Sequence, residues 1–324
     1  MGNNSVVFAY ALDGLGGGST VSINKLSKTI RQKEQIIWVH VDGNHRDAQK
    51  WLQRNTSIDE IYVSELLSDD VRPRVECADN EMLLFLKGSL LKKNNTPGDM
   101  TSIRMWINEK LIITTRKRKY QVVEDIRDML KLGKGPKSAG DFVAQLTLYM
   151  ASRLDPILSM LNDVIDSVEE ELIENENSDV RETIARTRKN AIILYRHVSP
   201  QRTVIQQIMN SQANWINELD RRYLAEVDND LARHIEDLGA VRERAQIVKD
   251  ELMSITSERL NRNMYTMSVM TAIFLPLGFL TGLLGINVGG MPGVESSDAF
   301  WITVAIIMLI VTIQIVIFKK FKWL

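Results

Sequence analysis

Residues 265–292 read YTMSVMTAIFLPLGFLTGLLGINVGGMP, and residues 267–288 within this stretch contain no charged side chain. A helix of that length, at about 1.5 Å per residue, crosses the roughly 30 Å of hydrocarbon in a bilayer. A second uncharged run, FWITVAIIMLIVTIQIVIF at 300–318, follows after a short connection. A buried core helix is the alternative for each run, but such continuity is rare in soluble helices. The pair therefore predicts two transmembrane helices.

The two runs differ in the size of their side chains. The first contains Thr271, Pro276, Gly278 and Gly282, whereas isoleucine, valine and phenylalanine dominate the second. Small residues let helix backbones approach each other or line a path, and bulky aliphatic residues suit lipid. We therefore expect the first run to face protein or water and the second to face lipid. Pro276 also leaves one backbone carbonyl without its helical donor, which is tolerated where a neighbour or water supplies another.

Basic residues predict the orientation of this hairpin. Arg259 and Arg262 precede the first run, and Lys319, Lys320 and Lys322 follow the second. The connection between the runs contains neither lysine nor arginine. Since lysine and arginine favour the cytoplasmic side, both termini are expected in the cytoplasm and the connection outside.

The first run ends in Gly285-Ile286-Asn287, within the context FLPLGFLTGLLGINVGGMPG. This segment resembles the signature of the CorA superfamily of divalent-cation channels and transporters, whose first span ends in Gly-Met-Asn. An aliphatic residue in place of methionine, followed by a Gly-Gly-x-Pro-Gly loop, is similar to the ZntB (zinc transport protein) branch. The segments LDGLGGG (12–18), RPRVE (72–76) and TTRKRKY (114–120) also resemble that branch.

The resemblance implies a fold, an assembly and a site. The fold is an α+β cytoplasmic domain with a mixed sheet, then long stalk helices and two C-terminal transmembrane helices, as in a CorA-like funnel. The assembly is a homopentamer in the cell inner (plasma) membrane, with the first helix of each copy lining one pore. A ring of Asn287, beside Gly285 and Ile286, would form the selectivity filter and hold a hydrated ion. Glu295 and Asp298 would help at the outer mouth.

Two helices per chain cannot enclose an aqueous path, so transport requires an oligomer. Stepping back from the Gly-Ile-Asn triplet by three and four residues predicts a pore-lining stripe, which contains no carboxylate or imidazole. Such a path suits a cation that keeps its water shell, and apolar rings such as those of Met264 and Leu275 can gate it by dewetting. The stripe consists of Asn261, Met264, Met267, Thr271, Leu275, Gly278 and Gly282.

The predicted organisation has six parts, which follow one another along the chain: a cytoplasmic α/β domain (1–137), a long helical stalk (138–263), the pore-lining span (264–286), an external loop with the Gly-Ile-Asn motif (287–299), the second span (300–319) and a cytoplasmic tail (320–324). In the first part, β-branched and aromatic runs predict strands, and apolar spacing predicts helices. The strands are 6–12, 36–41, 82–91, 101–107 and 110–115, and the helices are 45–53 and 58–69.

Two short segments of this domain predict turns. The Asn108-Glu109 step predicts a hairpin between the last two strands. The glycine-rich segment DGLGGGS (13–19) lacks the Lys-Ser/Thr of a phosphate-binding loop, so it predicts a flexible turn.

The stalk is predicted to be nearly all helix from Ser138 onward. Pro156 is expected either to kink a helix or to occupy its first turn. Residues 215–263 predict one charged helix that continues into the first span without a breaker. The segment LYRHVSPQR (194–202) is interpreted as a junction between helices, with Arg196 and Arg202 as pairing partners.

Residues 155–182 contain ten aspartates and glutamates and one basic residue, Arg181. Two interpretations stay open: a solvated helix face, and a surface that concentrates divalent cations near the inner mouth of the pore. The resemblance favours the second, because CorA-type proteins carry acidic helices beside the pore helix. The candidate cation-attracting residues are Asp163, Asp166, Glu169, Glu170, Glu171 and Glu174.

Composition limits the chemistry. The net charge of −1 over 324 residues does not suggest a nucleic-acid partner. A single cysteine, Cys77, excludes a disulfide framework and a cysteine zinc cage. Of the four histidines (His40, His45, His197 and His234), none lies in an uncharged run, so zinc rests on the resemblance and not on ligand chemistry. No cofactor is expected; the ion is cargo.

The sequence therefore predicts a transporter of divalent cations and not an enzyme. Zn²⁺ uptake is favoured, with proton coupling left open. The alternative is a CorA-type Mg²⁺ (Co²⁺/Ni²⁺) channel, from whose pattern Ile286 and Leu275 depart. From another class, the alternative is a membrane-tethered sensing or binding protein whose α/β domain does the work. An enzyme is disfavoured because the sequence contains no nucleophile–base constellation and no nucleotide loop.

Overall fold

The computed structural model describes residues 5–32, 34–69, 72–89, 100–174, 178–286 and 296–321. The chain divides into two compact units, Met1–Lys249 and Asp250–Leu324. In the described part of the chain the strands are β1 (Val6–Leu12), β2 (Gly18–Thr20), β3 (Ile36–Asp42), β4 (Arg74–Ala78), β5 (Glu81–Ser89), β6 (Met100–Ile107) and β7 (Leu111–Arg116). The helices are α1 (Ile23–Gln32), α2 (Ala48–Asn55), α3 (Glu60–Leu67), α4 (Gln121–Lys131), α5 (Ala139–Ser152), α6 (Asp155–Glu174), α7 (Ser178–Met209), α8 (Glu218–Leu284) and α9 (Ala299–Lys320).

The strands form one mixed sheet in the order β2-β1-β3-β7-β6-β5-β4. Only the central β3–β7 pair is parallel among these neighbours, which confirms the predicted mixed sheet. Side chains alternate between the two faces of a strand. On one face Val39 packs in a cluster with Trp51 and Leu52 of α2. On the other face the ring of Trp38 lies 4.9 Å from that of Phe142 in α5. Helices therefore cover both faces of the centre of the sheet.

The β6–β7 hairpin is confirmed at the predicted position. Asn108 donates its backbone N–H to the carbonyl of Leu111 at 3.0 Å. Its side-chain oxygen accepts from the backbone amides of Lys110 and Leu111 at 3.0 and 2.9 Å. Asparagine is favoured at turns for this reason, since its side chain can satisfy nearby amides.

The glycine-rich segment after β1 is the predicted turn. The Asp13 carboxylate accepts from the backbone amides of Leu15 and Gly17 at 2.7 and 2.9 Å, and these bonds lower the pKa of Asp13. Gly16 has a φ of 108°, which an L residue with a side chain rarely adopts. The last residues of this segment enter β2, a three-residue strand that the sequence prediction missed.

Four elements were missed: α1, α4, β2 and β4. The edge strand β4 reads RVECA and is half-buried or exposed along its whole length. Such a strand lacks the apolar alternation that marks a half-buried strand in sequence. A turn at Asp79 and Asn80 joins it directly to β5, with Ala78 opposite Glu81, so its partner is the next strand along the chain.

The start of α5 and the place of Pro156 follow the prediction. The Ser138 hydroxyl accepts from the backbone amide of Asp141 at 2.9 Å, which caps the helix. Pro156 is the second residue of α6 and so lies in its first turn, where its missing N–H would have no helical partner anyway.

The interpretation of residues 194–202 as a helix junction was wrong. Pro200 lies inside the continuous helix α7. Beside it, Gln201 is 3 % exposed, and its side-chain oxygen accepts from the backbone amide of Lys87 at 2.9 Å. Strand β4 pairs with β5 only as far as Phe85, so Gln201 supplies a partner beyond the end of that strand. Docking on the sheet therefore holds the helix across its proline.

The pairing predicted for Arg202 is confirmed. Its Nε and Nη2 donate to the two carboxylate oxygens of Asp228 in α8, at 3.0 and 3.2 Å. These bonds raise the pKa of Arg202. Arg196, the other predicted partner, has an exposed side chain.

Helix α8 begins at Glu218, three residues later than predicted. The Asn217 side chain accepts from the Asp220 amide at 2.9 Å, and the Asp220 carboxylate accepts from the Asn217 amide at 3.0 Å. This reciprocal cap fixes the start of the helix. The helix then continues to Leu284, as the absence of a breaker predicts.

The buried His40 of β3 predicts a pH-dependent stability. His40 Nδ1 lies 2.8 Å from the hydroxyl of Thr114, and that hydroxyl accepts from Trp38 Nε1–H at 2.8 Å. The same hydroxyl also lies 3.4 Å from the Val39 carbonyl, so its proton can go either to that carbonyl or to a neutral imidazole. Burial, aided by the positive charge of Arg116, lowers the pKa of His40 to about 3, from 6.5.

As the pH falls below 6.5, the unfolded chain binds this proton before the folded chain does, so stability is lost between pH 6.5 and about 3. The loss should reach about 2–3 kcal/mol at pH 4.5, at about 1.4 kcal/mol per pH unit. Urea unfolding followed by tryptophan fluorescence should show a smaller acid loss for His40→Gln than for the wild type. An unchanged difference between pH 7 and pH 4.5 in His40→Gln would contradict this assignment.

Candidate functional site

Helices α8 and α9 both contain segments that are long and apolar enough to cross a membrane. The apolar windows of the two helices are only 6 % and 0 % buried within the chain. A core helix of a soluble protein would be mostly covered, so a surface this apolar and this exposed requires lipid or another copy of the chain.

One face of the apolar part of α8 is half-buried. Its members recur every three or four residues and so lie on one side of the helix. They are Val269, Ala272, Ile273, Pro276, Leu277 and Leu280. The corresponding face of α9 contains Thr303, Val304, Ile307, Ile310, Val311, Gln314 and Phe318. The two helices contact each other here, since Gln314 Nε2 donates to the Ala272 carbonyl at 3.2 Å.

The predicted stripe lies on the opposite face of α8. At about 100° per residue, the residues from Met264 to Gly282 centre about 180° from the half-buried face, with Asn261 at the edge of the stripe. Every member of the stripe is exposed, including Met267 at 72 % and Leu275 at 66 %. Helix α9 therefore leaves the stripe uncovered.

The glycines of the stripe are not required by packing within the chain. A Cβ added at Gly278 or Gly282 would meet no described atom within 4 Å. Glycine in a helix interior costs about 1 kcal/mol relative to alanine. Their presence on an uncovered face therefore points to a close approach by something outside the single chain.

The polar groups of the stripe are the Asn261 amide, the Thr271 hydroxyl and the backbone. Thr271 donates its hydroxyl proton to the Met267 carbonyl at 2.8 Å. Because the proton is used inside the helix, the hydroxyl oxygen remains an acceptor toward the exposed side. Such a surface can hydrogen-bond the water shell of a cation without displacing it.

The outer end of the site is described only in part. Gly285 donates its backbone N–H to the Thr281 carbonyl at 3.0 Å, and Ile286 follows with an exposed side chain. Asp298 is exposed and directly precedes α9. Asn287 and Glu295 lie outside the described residues, so their assignment to the filter and outer mouth stays a prediction.

Two acidic residues of α6, Asp166 and Glu169, form ion pairs with α8 that sequence reasoning missed. Arg244 in α8 donates to the Glu169 carboxylate through Nε at 3.1 Å and through Nη2 at 2.7 Å, and it also donates to Asp166. These bonds raise the pKa of Arg244. Asp166 and Glu169 therefore tie α6 to α8. A separation of 75 residues or more left no local sequence signal for this contact.

The other acidic candidates are arranged differently. Asp163 and Glu170 are exposed, and Glu171 is half-buried. The side chain of Glu174, at the end of α6, lies outside the described part of the chain. A role for these four residues in attracting cations stays a prediction.

The described residues contain no group of three or more histidine, cysteine, aspartate or glutamate side chains that could hold a metal ion. Three of the histidines have identified structural partners, among them His45, whose Nδ1 accepts from the backbone amide of Asp47 at 3.2 Å. The buried His234 places Nε2 at 2.7 Å from the carboxylate of Asp155, and His40 contacts Thr114. His197 is half-buried in α7.

A family model described as a CorA-like Mg²⁺ transporter protein matches residues 33–320. The chain belongs to the CorA-like family. The match covers most of the sheet, the stalk helices and both apolar helices, so the family resemblance is not confined to the Gly-Ile-Asn segment.

Similar proteins cover nearly the whole chain. The divalent cation transporter CmaX of Pseudomonas aeruginosa is 34 % identical over 98 % of this chain and 97 % of its own. The zinc transport protein ZntB of Yersinia enterocolitica is 32 % identical over 99 % of this chain and 97 % of its own.

Solved structures confirm the fold class. The structure of full-length CmaX matches with a TM-score of 0.86 at 32 % identity, over 100 % of this chain and 99 % of that one. The CorA magnesium transporter of Methanocaldococcus jannaschii matches with a TM-score of 0.81 at 20 % identity, over 98 % and 99 % of the two chains. The mixed sheet, the long helix and the two C-terminal apolar helices are thus a CorA-type architecture.

The open space beside Gly278 and Gly282 gives a testable expectation. Gly278→Ala and Gly282→Ala should leave the chain folded, since each Cβ has room and alanine favours the helix. Each should weaken self-association in detergent by about 1 kcal/mol, a typical size for contacts between membrane helices. Analytical ultracentrifugation of the purified variants measures this.

Gly239→Ala is the matched control. Gly239 also lies in α8 with no described atom within 4 Å of an added Cβ, but outside the apolar segment. It should associate as the wild type does. Wild-type association of both stripe variants would show that these glycines do not face another copy.

Proposed function

We propose that this CorA-family chain carries divalent metal cations, with Zn²⁺ as the favoured ion, across the cell inner membrane along the axis of a homopentamer. The observation that carries the proposal is the position of the stripe on α8. It is exposed, contains small and weakly polar residues, and lies opposite the face that contacts α9. The named activities of CmaX and ZntB, divalent-cation and zinc transport, support the same conclusion.

An oligomer follows from the geometry of one chain. Two apolar helices cannot enclose water, and the stripe is uncovered in the single chain. Several copies with their stripes directed inward would form one path, while α9 would face lipid. The number five comes from the resemblance to the CorA superfamily. In this arrangement both termini are cytoplasmic, with Lys319 and Lys320 at the end of α9 on that side.

The ion crosses the stripe with its water shell. Thr271 and the exposed backbone at Gly278 and Gly282 offer oxygen acceptors to that shell, and the thioethers of Met264 and Met267 offer none that are strong. A ring of Asn287 amides selects the hydrated ion at the outer end. Rings of Leu275 and Met264 close the path by excluding water when they approach each other.

Zinc is favoured over magnesium by the residue at position 286. The CorA superfamily signature has methionine there, and the ZntB branch has another aliphatic residue, as in this chain. A CorA-type Mg²⁺ channel is the alternative within transport. Uptake would be driven by the membrane potential. The two uncharged runs contain no carboxylate to relay a proton, so any coupling to protons would involve groups outside them.

Ion flux into proteoliposomes tests the proposal. With an imposed inward-negative potential, Zn²⁺ uptake should exceed Mg²⁺ uptake at equal concentration. Comparison with and without a pH gradient separates uptake driven by potential alone from proton-coupled uptake. Greater Mg²⁺ flux would favour the CorA-type alternative. A purified oligomer with no flux of either ion would favour a membrane-tethered sensing or binding protein.

The filter assignment has its own test. Asn287→Ala removes the amide that would hold the hydrated ion, so selective flux should fall by about tenfold or more, the effect of losing roughly 1.4 kcal/mol at the barrier. The oligomer should remain intact. Val288→Ala, one residue further on, is the control and should keep wild-type flux. Wild-type selectivity in Asn287→Ala would remove this residue from the filter.

A further inference from the structure

The hydrogen bond between Gln314 and Ala272 lies at a particular point of α8. Pro276 has no amide hydrogen, so the carbonyl of Ala272, four residues earlier, loses its helical donor. Gln314 Nε2 donates to that same carbonyl at 3.2 Å. The side-chain amide on α9 therefore replaces the bond that the proline removes from α8.

The two threonines of α9 are satisfied within their own helix. The hydroxyl of Thr303 donates to the Ala299 carbonyl at 2.9 Å, and that of Thr312 donates to the Met308 carbonyl at 2.7 Å. Gln314 behaves differently, because its donor crosses to another helix. Its Oε1 is buried and has no partner among the described residues, so its contribution within the described chain is that of a donor.

The location of this bond also bears on the orientation of α8 relative to α9. A carbonyl without a donor in hydrocarbon is costly, and water cannot supply the missing bond there. A proline also bends a helix or lets it bend at that point. Ala272 and Pro276 lie on the half-buried face, and Thr271 and Leu275 precede them on the exposed stripe. A bond at this level therefore fixes how α8 turns its stripe away from α9.

We propose that Gln314 is a positioning residue: its amide replaces the hydrogen bond removed by Pro276, fastens α9 to the back of α8, and holds Thr271 and Leu275 toward the ion path. The effect on the ion path rests on the proposed transport function. The hydrogen bond between Gln314 and the Ala272 carbonyl is independent of that function.

A double-mutant cycle on the full chain tests the proposal. The variants are Gln314→Leu, Pro276→Ala and both together. In the wild-type background, Gln314→Leu should unfold about three to fifteen times faster in detergent, the range for hydrogen bonds between membrane helices. With alanine at 276 the backbone amide can again donate to Ala272. The same substitution should then change the rate less than about twofold, which is below that range.

Thr312→Val is the matched control. It also removes a polar group from α9, but one that donates only within its helix, so its effect should be the same small change in both backgrounds. An equal effect of Gln314→Leu in both backgrounds, or no effect in either, would overturn the link to Pro276.

Flux measurements test the positioning role. Zn²⁺ flux is normalised to folded protein, so that lost stability does not count. Gln314→Leu should lower the maximal flux and leave the half-saturating concentration unchanged, because the filter is untouched. In the alanine background the loss should disappear. If folded Gln314→Leu has a normal maximal flux, Gln314 only stabilises the helix pair, and its positioning role is overturned.

The two proposals can fail separately. Unfolding rates are measured without an ion. If the cycle shows coupling between Gln314 and Pro276 but the wild type conducts neither Zn²⁺ nor Mg²⁺, the transport proposal is wrong and the hydrogen-bond assignment is supported. If the wild type shows selective flux but the cycle shows no coupling, the hydrogen-bond assignment is wrong and the transport proposal is supported.

Discussion

Hydrocarbon offers the backbone no hydrogen-bond partner, and this constraint governs the apolar part of the chain. A helix meets it by bonding every amide to a carbonyl four residues back. Pro276 breaks that pattern once, at Ala272, and the side chain of Gln314 closes the gap from the neighbouring helix. The cost of an open carbonyl thus links the sequences of α8 and α9, which otherwise pack through apolar side chains.

That link also separates the two faces of α8. The face with Ala272 and Pro276 is committed to α9, so the face with Thr271, Gly278 and Gly282 must meet something else. Glycine is a poor choice on a lipid-facing helix surface, where it gives up contacts and helix stability. On a face that approaches another backbone or a hydrated ion, the same residue is an advantage. The uncovered stripe is therefore better suited to an assembly than to lipid.

Much of this arrangement could be predicted from local sequence. Absence of charge predicted the apolar helices, and Asn108 and Ser138 predicted a hairpin and a helix start through hydrogen bonds to nearby amides. Several of the failures depend on contacts between distant residues. Pro200 lies inside α7, next to Gln201, which docks on Lys87 more than a hundred residues away. Arg244 and Gln314 contribute through partners on other helices, and a single sequence does not reveal such pairs. The assignment of Asn287 to the filter comes from the resemblance alone.

The chemistry of the stripe also bears on what could drive transport. Groups that bind a bare zinc ion tightly, such as thiolates, imidazoles and carboxylates, are absent from the two uncharged runs. In the proposed pore, an ion that keeps its water would have no such ligand to leave, so its release would need no proton exchange. For a divalent cation, a potential of 100 mV contributes about 4.6 kcal/mol, twice the value for a single charge. That equals an accumulation of more than about a thousandfold, at about 1.4 kcal/mol per factor of ten. In the proposed pore, the potential alone is sufficient for uptake.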